Sequence, residues 1–320
     1  MMLGRLTATG LVLSLPWLVS CRNSRAEVAH PGATLRISSG VPTGTFGPFS
    51  AALVRGYAEL MPDLRIELVD APGSVRNLEA LENGTVDVGL AQAGVAYMAY
   101  NGRLPDQGRP LRNISGVAVL NASVVHLVVA PHARADSIDD LKGLRVATAP
   151  IGTGNATTSE LLLSGYPHGT VRTVRVPVEQ TAHMLLSGAV DAAFTISGIP
   201  HDEAARAIEG GARLVRVTGP AMDRLRGAYP FFRSAVIPAN TYSGQRQPIH
   251  TLSIDVVLLA RKELDDGFVR RLTEGLFQML PRLSSELDFL RGMDPERAPA
   301  TPIPLHRGAT LYYRERELRR

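Results

Sequence analysis

From Thr34 onward, short apolar runs bounded by Gly, Pro and Asp alternate with longer stretches whose apolar residues recur at helical spacing. The pattern predicts a strand at 35–39, a helix over 48–61 stopped by Pro62 and Asp63, and a strand at 65–69. A helix follows with Ser74 as N-cap and Gly84 as C-cap, then a strand over 86–91 ending at Gln92, and a helix around 95–100. After Pro110 two apolar runs, 114–120 and 124–130, read as two strands in close succession. Next come a strand at 145–149, a Gly/Thr loop, a helix opened by Thr157 and Thr158, and a strand at 170–177. A helix at 202–210, strands at 213–217 and 251–260, and helices at 266–280 and 284–291 complete the reading. Strands alternating with helices in this way predict parallel α/β sheets.

The pattern occurs twice. RISSGVPTGTFGPFSAAL (36–53) and RVATAPIGTGNATTSELL (145–162) share the order strand, Gly/Thr loop, helix. LENGTVDVGL (81–90) and LLSGAVDAAF (185–194) share a helix end, a Gly cap, two residues and then an Asp, and a buried strand. Two copies of one β-loop-α-β-α-β unit predict two similar lobes, each a mostly parallel sheet flanked by helices. The expected division is 34–122 plus 246–320 for lobe 1 and 123–245 for lobe 2, so the chain crosses twice and forms a hinged clamshell.

Composition changes this picture little. The 320 residues are 45% hydrophobic and 20% charged, as in ordinary globular domains. The net charge of +4 rests almost wholly on arginine, because Lys142 and Lys262 are the only lysines. The arginines lie among acidic residues, and no basic run is interleaved with aromatics, which argues against nucleic-acid binding. The single cysteine, Cys21, excludes an internal disulfide. It follows Arg5 and an apolar run in the tetrapeptide Leu18-Val19-Ser20-Cys21, which resembles a bacterial lipobox. Residues 1–21 are therefore expected to be an export signal, 22–33 a flexible tether, and Cys21 the lipidation site of an extracytoplasmic protein.

The sequence contains no G-x-S-x-G, Walker A or H-E-x-x-H motif and no cysteine pair, so no cofactor or metal is expected. His201, Asp202 and Glu203 read as the exposed first turn of a helix. His126 is the least poor candidate for a general base, should the scaffold carry an enzyme. Asp87 and Asp191 recur between helix cap and strand, as architecture. What remains is a set of small polar residues at expected strand ends: Thr43, Gly44, Thr45 and Phe46; Ser74; Gln92; Gly152, Thr153, Gly154 and Asn155; Ser197 and Gly198. Facing one cleft, their N–H groups, hydroxyls and helix starts suit a small carboxylate. Arg76 is a candidate partner for a second ligand charge.

Four further stretches carry a family resemblance: Gly73-Ser-Val-Arg-Asn-Leu78, the Gly84–Gln92 segment, Asp140-Leu-Lys-Gly-Leu-Arg-Val-Ala147 and the Pro304–Glu315 end. Together with T-G-T-F at 43–46 they resemble TAXI-type solute-binding proteins of TRAP transporters. The resemblance implies a periplasmic-binding-protein-like (type II) receptor that closes on an organic acid or amino acid. It also implies delivery to membrane subunits driven by an ion gradient. A sensor that presents its ligand to a receptor kinase is the alternative use of the same fold. The chain departs from the family pattern at Phe46-Gly47, at Asn155 and at Arg76, all within expected ligand loops, so the ligand does not carry over.

Overall fold

The computed structural model describes residues 34–40, 44–71, 73–104, 108–167, 169–291 and 293–318. The expected export signal with Cys21, the expected tether and Thr43 lie outside the described residues.

The first lobe starts with β1 (Thr34–Ser38), α1 (Phe46–Leu60), β2 (Arg65–Val69), α2 (Ser74–Glu82), β3 (Val88–Gln92) and α3 (Ala93–Tyr100). Strand β4 (Ile114–Val129) carries the chain into the second lobe. That lobe contains β5 (Arg145–Thr148), α4 (Gly154–Leu163), β6 (Arg172–Arg175), α5 (Thr181–Leu186), β7 (Ala192–Ser197) and α6 (Asp202–Glu209). It continues with β8 (Arg213–Val215), α7 (Pro220–Ala228) and β9 (Phe232–Ile237). Strand β10 (Ile249–Arg261) returns to the first lobe, where α8 (Asp266–Glu286) and α9 (Arg307–Leu318) pack.

The sheet order β2-β1-β3-β10-β4-β7-β5-β6 reads alike from both ends. Strands β1–β3 pair in parallel, as do β5–β7, while the crossing strands β4 and β10 run antiparallel to their neighbours. The fold is thus mixed α/β: the expected parallel order holds within each lobe and ends at the hinge. One core, around Leu35, Phe49, Leu53, Leu276 and Tyr313, lies under α1, α8 and α9. The other runs from Leu78 and Val95 through β4 into the second lobe at Leu162 and Leu185.

The same clamp starts each lobe. The Asp87 carboxylate accepts from the Arg36 backbone N–H at 2.9 Å, from its Nε at 3.0 Å and from its Nη2 at 2.8 Å. Asp191 accepts the same three bonds from Arg145, at 2.8, 3.1 and 2.7 Å. The Asp thus ties the entry of its own strand to the first strand of its lobe. The bidentate fork explains why an Arg stands within β1 and at the start of β5 as much as why an Asp recurs. These bonds hold the Asp191 carboxyl below the usual carboxylate range, the Arg145 side chain contributing most.

Four expectations need correction. The runs at 114–120 and 124–130 form one strand, β4, and the triplet Asn121-Ala122-Ser123 between them sits where the chain crosses lobes. There Asn121 Nδ2 donates to the carbonyls of Phe289 and Arg291. Helix α8 continues through Pro281 instead of breaking at 280. A proline inside a helix costs about 3 kcal/mol. The buried stripe Val269, Leu272, Leu276, Met279 and Leu283 outweighs it, at about 1.5–3 kcal/mol for each side chain. Helices α7 and α9 and strand β9 were not anticipated. Finally, α2 and α4 are capped by Gly73 and Thr153 and start at Ser74 and Gly154, so neither Ser74 nor Thr157 and Thr158 is the cap.

Candidate functional site

Each lobe ends its first parallel strands in a turn to a helix, and the starts of those helices meet between the lobes. A cavity of ≈ 90 Å³ there is lined by Gly44, Thr45 and Phe46 at the start of α1 and by Gly73 and Ser74 at the start of α2. Gln92 at the start of α3, Thr153, Gly154 and Asn155 at the start of α4 and His201 at the start of α6 also line it. The first N–H groups of a helix lack intrahelical partners and carry the positive end of its dipole. Five such ends face one space, and no Arg, Lys, Asp or Glu stands among the described lining residues.

The lobes touch through these residues. Gln92 Nε2 donates to Asn155 Oδ1 at 2.8 Å, and Gln92 Oε1 accepts from Thr158 Oγ1 at 2.5 Å. On the Gln92 side, its backbone N–H donates to Ser74 Oγ at 3.0 Å. Thr45 Oγ1 and Ser197 Oγ form a second bridge of 3.1 Å. Thr153 Oγ1 donates to the Pro150 carbonyl at 2.8 Å and accepts from the Ala156 N–H at 3.2 Å, so this hydroxyl shapes its own loop. Glycine at 154 is required by proximity, because a Cβ there would lie 2.4 Å from Ser74 Oγ and 3.0 Å from the Gln92 carboxamide carbon.

Of the residues expected at the site, Gly44, Thr45, Phe46, Ser74, Gln92, Thr153, Gly154, Asn155 and Ser197 line the cavity. Three described ones do not. Gly152 lies under the Arg76 side chain and Gly198 against Phe289. Arg76 is 60% exposed on α2, reaches over Gly152 of the second lobe, and its Nη1 donates to Glu79 at 2.8 Å.

Sequence reasoning missed Gly73, Ser123, Ala149, Val178, Ile196 and His201. The reading of His201 as part of an exposed turn is corrected: it is 7% exposed and caps α6, its Nδ1 accepting from the Ala204 N–H at 3.4 Å. Glu203 is also buried, and holds the Ala182 N–H and Arg206. The signal for His201 was positional, since it precedes a helix after a strand end, like the other lining residues. Burial lowers the pKa of its imidazole, with Asp202 and Glu203 opposing that shift.

His126 stands behind the site on β4, fully buried. Its Nδ1 meets the Val124 carbonyl at 3.0 Å, so Nδ1 carries the proton and Nε2 accepts from the Tyr242 hydroxyl at 2.8 Å. That hydroxyl in turn accepts from the His201 N–H at 2.8 Å. Burial, helped by the neighbouring His201, pushes His126 down to about 3, and burial pushes Tyr242 up to about 12. This chain of groups fixes the position of His201, and His126 itself does not line the cavity. Among the described residues no group of His, Cys, Asp and Glu is arranged to hold a metal, and no helix is long and apolar enough to cross a membrane.

Among solved structures the fold is similar to that of MatC from Rhodopseudomonas palustris with bound malate. The two are 17% identical over 90% of this chain and 98% of that one, with a TM-score of 0.56. XAC2383 from Xanthomonas citri bound to ATP is 15% identical over 89% of this chain and 98% of that one, with a TM-score of 0.54. The model of the NMT1-like family matches residues 37–316.

Proposed function

This chain belongs to the NMT1-like family, and from that premise we propose that it is an extracytoplasmic solute receptor that closes two lobes on a small carboxylate. The observation that carries the reading is the convergence of five helix starts on one interlobe cavity. Positive helix ends brought together repel one another, and an anion between them turns that cost into binding energy. The bridges Gln92–Asn155 and Thr45–Ser197 join lobes that, among the described residues, only β4 and β10 connect covalently, which supports closure about those strands. Malate in MatC supports the choice of an organic acid by analogy of fold.

We assign ligand contact to Gly44, Thr45, Phe46, Ser74, Gln92, Thr153, Gly154, Asn155 and Ser197, and delivery to TRAP-type membrane subunits driven by an ion gradient. Anchorage through Cys21 follows from the lipobox-like tetrapeptide. A thermal-shift screen of carboxylates with the purified protein tests the receptor reading, because a ligand that binds only the folded state raises the melting temperature. A flat response across the panel would overturn it. Uptake in vesicles carrying the membrane subunits encoded beside it tests delivery: transport driven by an ion gradient is expected, and transport requiring ATP would exclude TRAP subunits.

A further inference from the structure

The hydrogen-bonding inventory of the cavity restricts its ligand more narrowly than the presence of helix ends does. The acceptor oxygens of the described lining side chains are mostly engaged. Asn155 Oδ1 is held by Gln92, Gln92 Oε1 by Thr158, and Thr153 Oγ1 by the Ala156 N–H. Thr45 and Ser197 bond each other, and Ser74 Oγ accepts from the Gln92 N–H. What faces the cavity uncommitted is donor-rich: the Asn155 Nδ2 group, the first-turn N–H groups, and His201. Because His201 Nδ1 accepts from Ala204, its proton is on Nε2, which has no partner among the described residues. Ser123, 2% exposed, also lines the cavity with a hydroxyl that no described group holds.

The charges near the cavity are already paired. Arg76 is matched by Glu79, and Arg175, which donates to the Ala149 carbonyl behind the lining, is matched by Glu160. The rest of the lining is apolar: Phe46, Ala149, Val178 and Ile196. One carboxylate therefore finds donors. A second would lie against uncharged walls, and an ammonium group would find neither a carboxylate nor a free carbonyl side chain, which is costly in a desolvated space.

We propose that the ligand of this site is a small monoanion without an ammonium group, a monocarboxylic acid with an oxo, hydroxyl or apolar remainder, and that His201 Nε2–H is one of the donors selecting it. This inference rests on the receptor reading. The cavity of ≈ 90 Å³ does not separate acids of four carbons from one another by length, so their charge is what distinguishes them.

The test is calorimetry and thermal shift on the purified chain with butyrate, 2-oxobutyrate, 2-hydroxybutyrate, 2-aminobutyrate, succinate and malate. One of the first three is expected to bind at least about a hundredfold more tightly than the last three. Tighter binding of succinate, malate or 2-aminobutyrate would overturn the monoanion assignment while leaving a receptor. No binding by any of the six would overturn it too, and if the wider carboxylate panel is also flat the receptor reading falls with it. His201→Asn keeps a capping side chain at the start of α6 while removing the imidazole. It is expected to weaken the best acid about tenfold with an unchanged circular dichroism spectrum and melting temperature. Unchanged affinity in that variant would remove His201 from the assignment.

Discussion

Gln92 Nε2 donates to Asn155 Oδ1 across the cleft at 2.8 Å, and the same carboxamide accepts from Thr158, so one side chain of the first lobe holds two residues of α4 in the second. Gln92 is thereby a latch as well as a lining residue. Each of its bonds contributes about 1 kcal/mol. Gln92→Leu is expected to shift the lobes towards an open arrangement and weaken carboxylate binding about tenfold or more. Small-angle scattering should show a larger radius of gyration for the variant. Unchanged scattering together with unchanged affinity would show that closure does not depend on this latch.

Gly154 tests the closeness of the two helix starts. A methyl group at this position collides with Ser74 Oγ and the Gln92 carboxamide only when the lobes are together. Gly154→Ala should therefore reduce affinity about a hundredfold, while the melting temperature of the free protein changes by a few degrees at most. A variant that binds normally would mean that the cleft is wider during binding than it is here.

Acid should destabilise the fold through His126. Its folded value of about 3 lies below the ordinary 6.5, so between those values the unfolded chain binds a proton that the folded chain refuses. Stability from this group is complete above pH 6.5 and falls as the pH drops towards 3, with a slope approaching about 1.4 kcal/mol per pH unit. Asp191 and Asp140, both depressed in the folded state, add losses at still lower pH, below the ordinary carboxylate value of 3.8. Urea unfolding at pH 7, 6, 5 and 4 measures the slope. A His126→Gln variant should make the profile shallower over this interval, leaving the share of His201 and His306, whose values are also lowered by burial, and an equally steep variant would place the proton elsewhere.

The duplicated clamps should be unequal. Asp87 is nearly buried and also meets Arg261 at 3.1 Å, whereas Arg145, the partner of Asp191, is more exposed to water. Asp87→Asn weakens the charged hydrogen bonds from Arg36 and removes the ion pair with Arg261, and is expected to cost about 2 kcal/mol. Asp191→Asn should cost less. Chemical denaturation of both variants checks the order, and a larger loss at Asp191 would contradict it.

The alternation of apolar runs and helical spacing was enough to predict the α/β class, the two similar lobes and the strand at 65–69 with its observed limits. Nine of the twelve ligand residues expected from strand-end position line the cavity, because in a parallel α/β unit the chain can turn from strand to helix only at the carboxyl end of the sheet. Local pattern failed where stability comes from a distant partner. Strand β9 has an alternating, half-exposed face and is held by pairing with β10, and α8 passes Pro281 because its buried stripe outweighs the local cost. His201 shows the same limit within the site. Its position before α6 is legible in the chain, but its burial, its bond from Ala204 and its backbone bond to Tyr242 exist only once the lobes are folded. Composition and spacing thus determined which chain segments reach the cleft, while only the tertiary structure decided which of their donors remain free there, because hydrogen-bond partners are allotted through space and not along the chain.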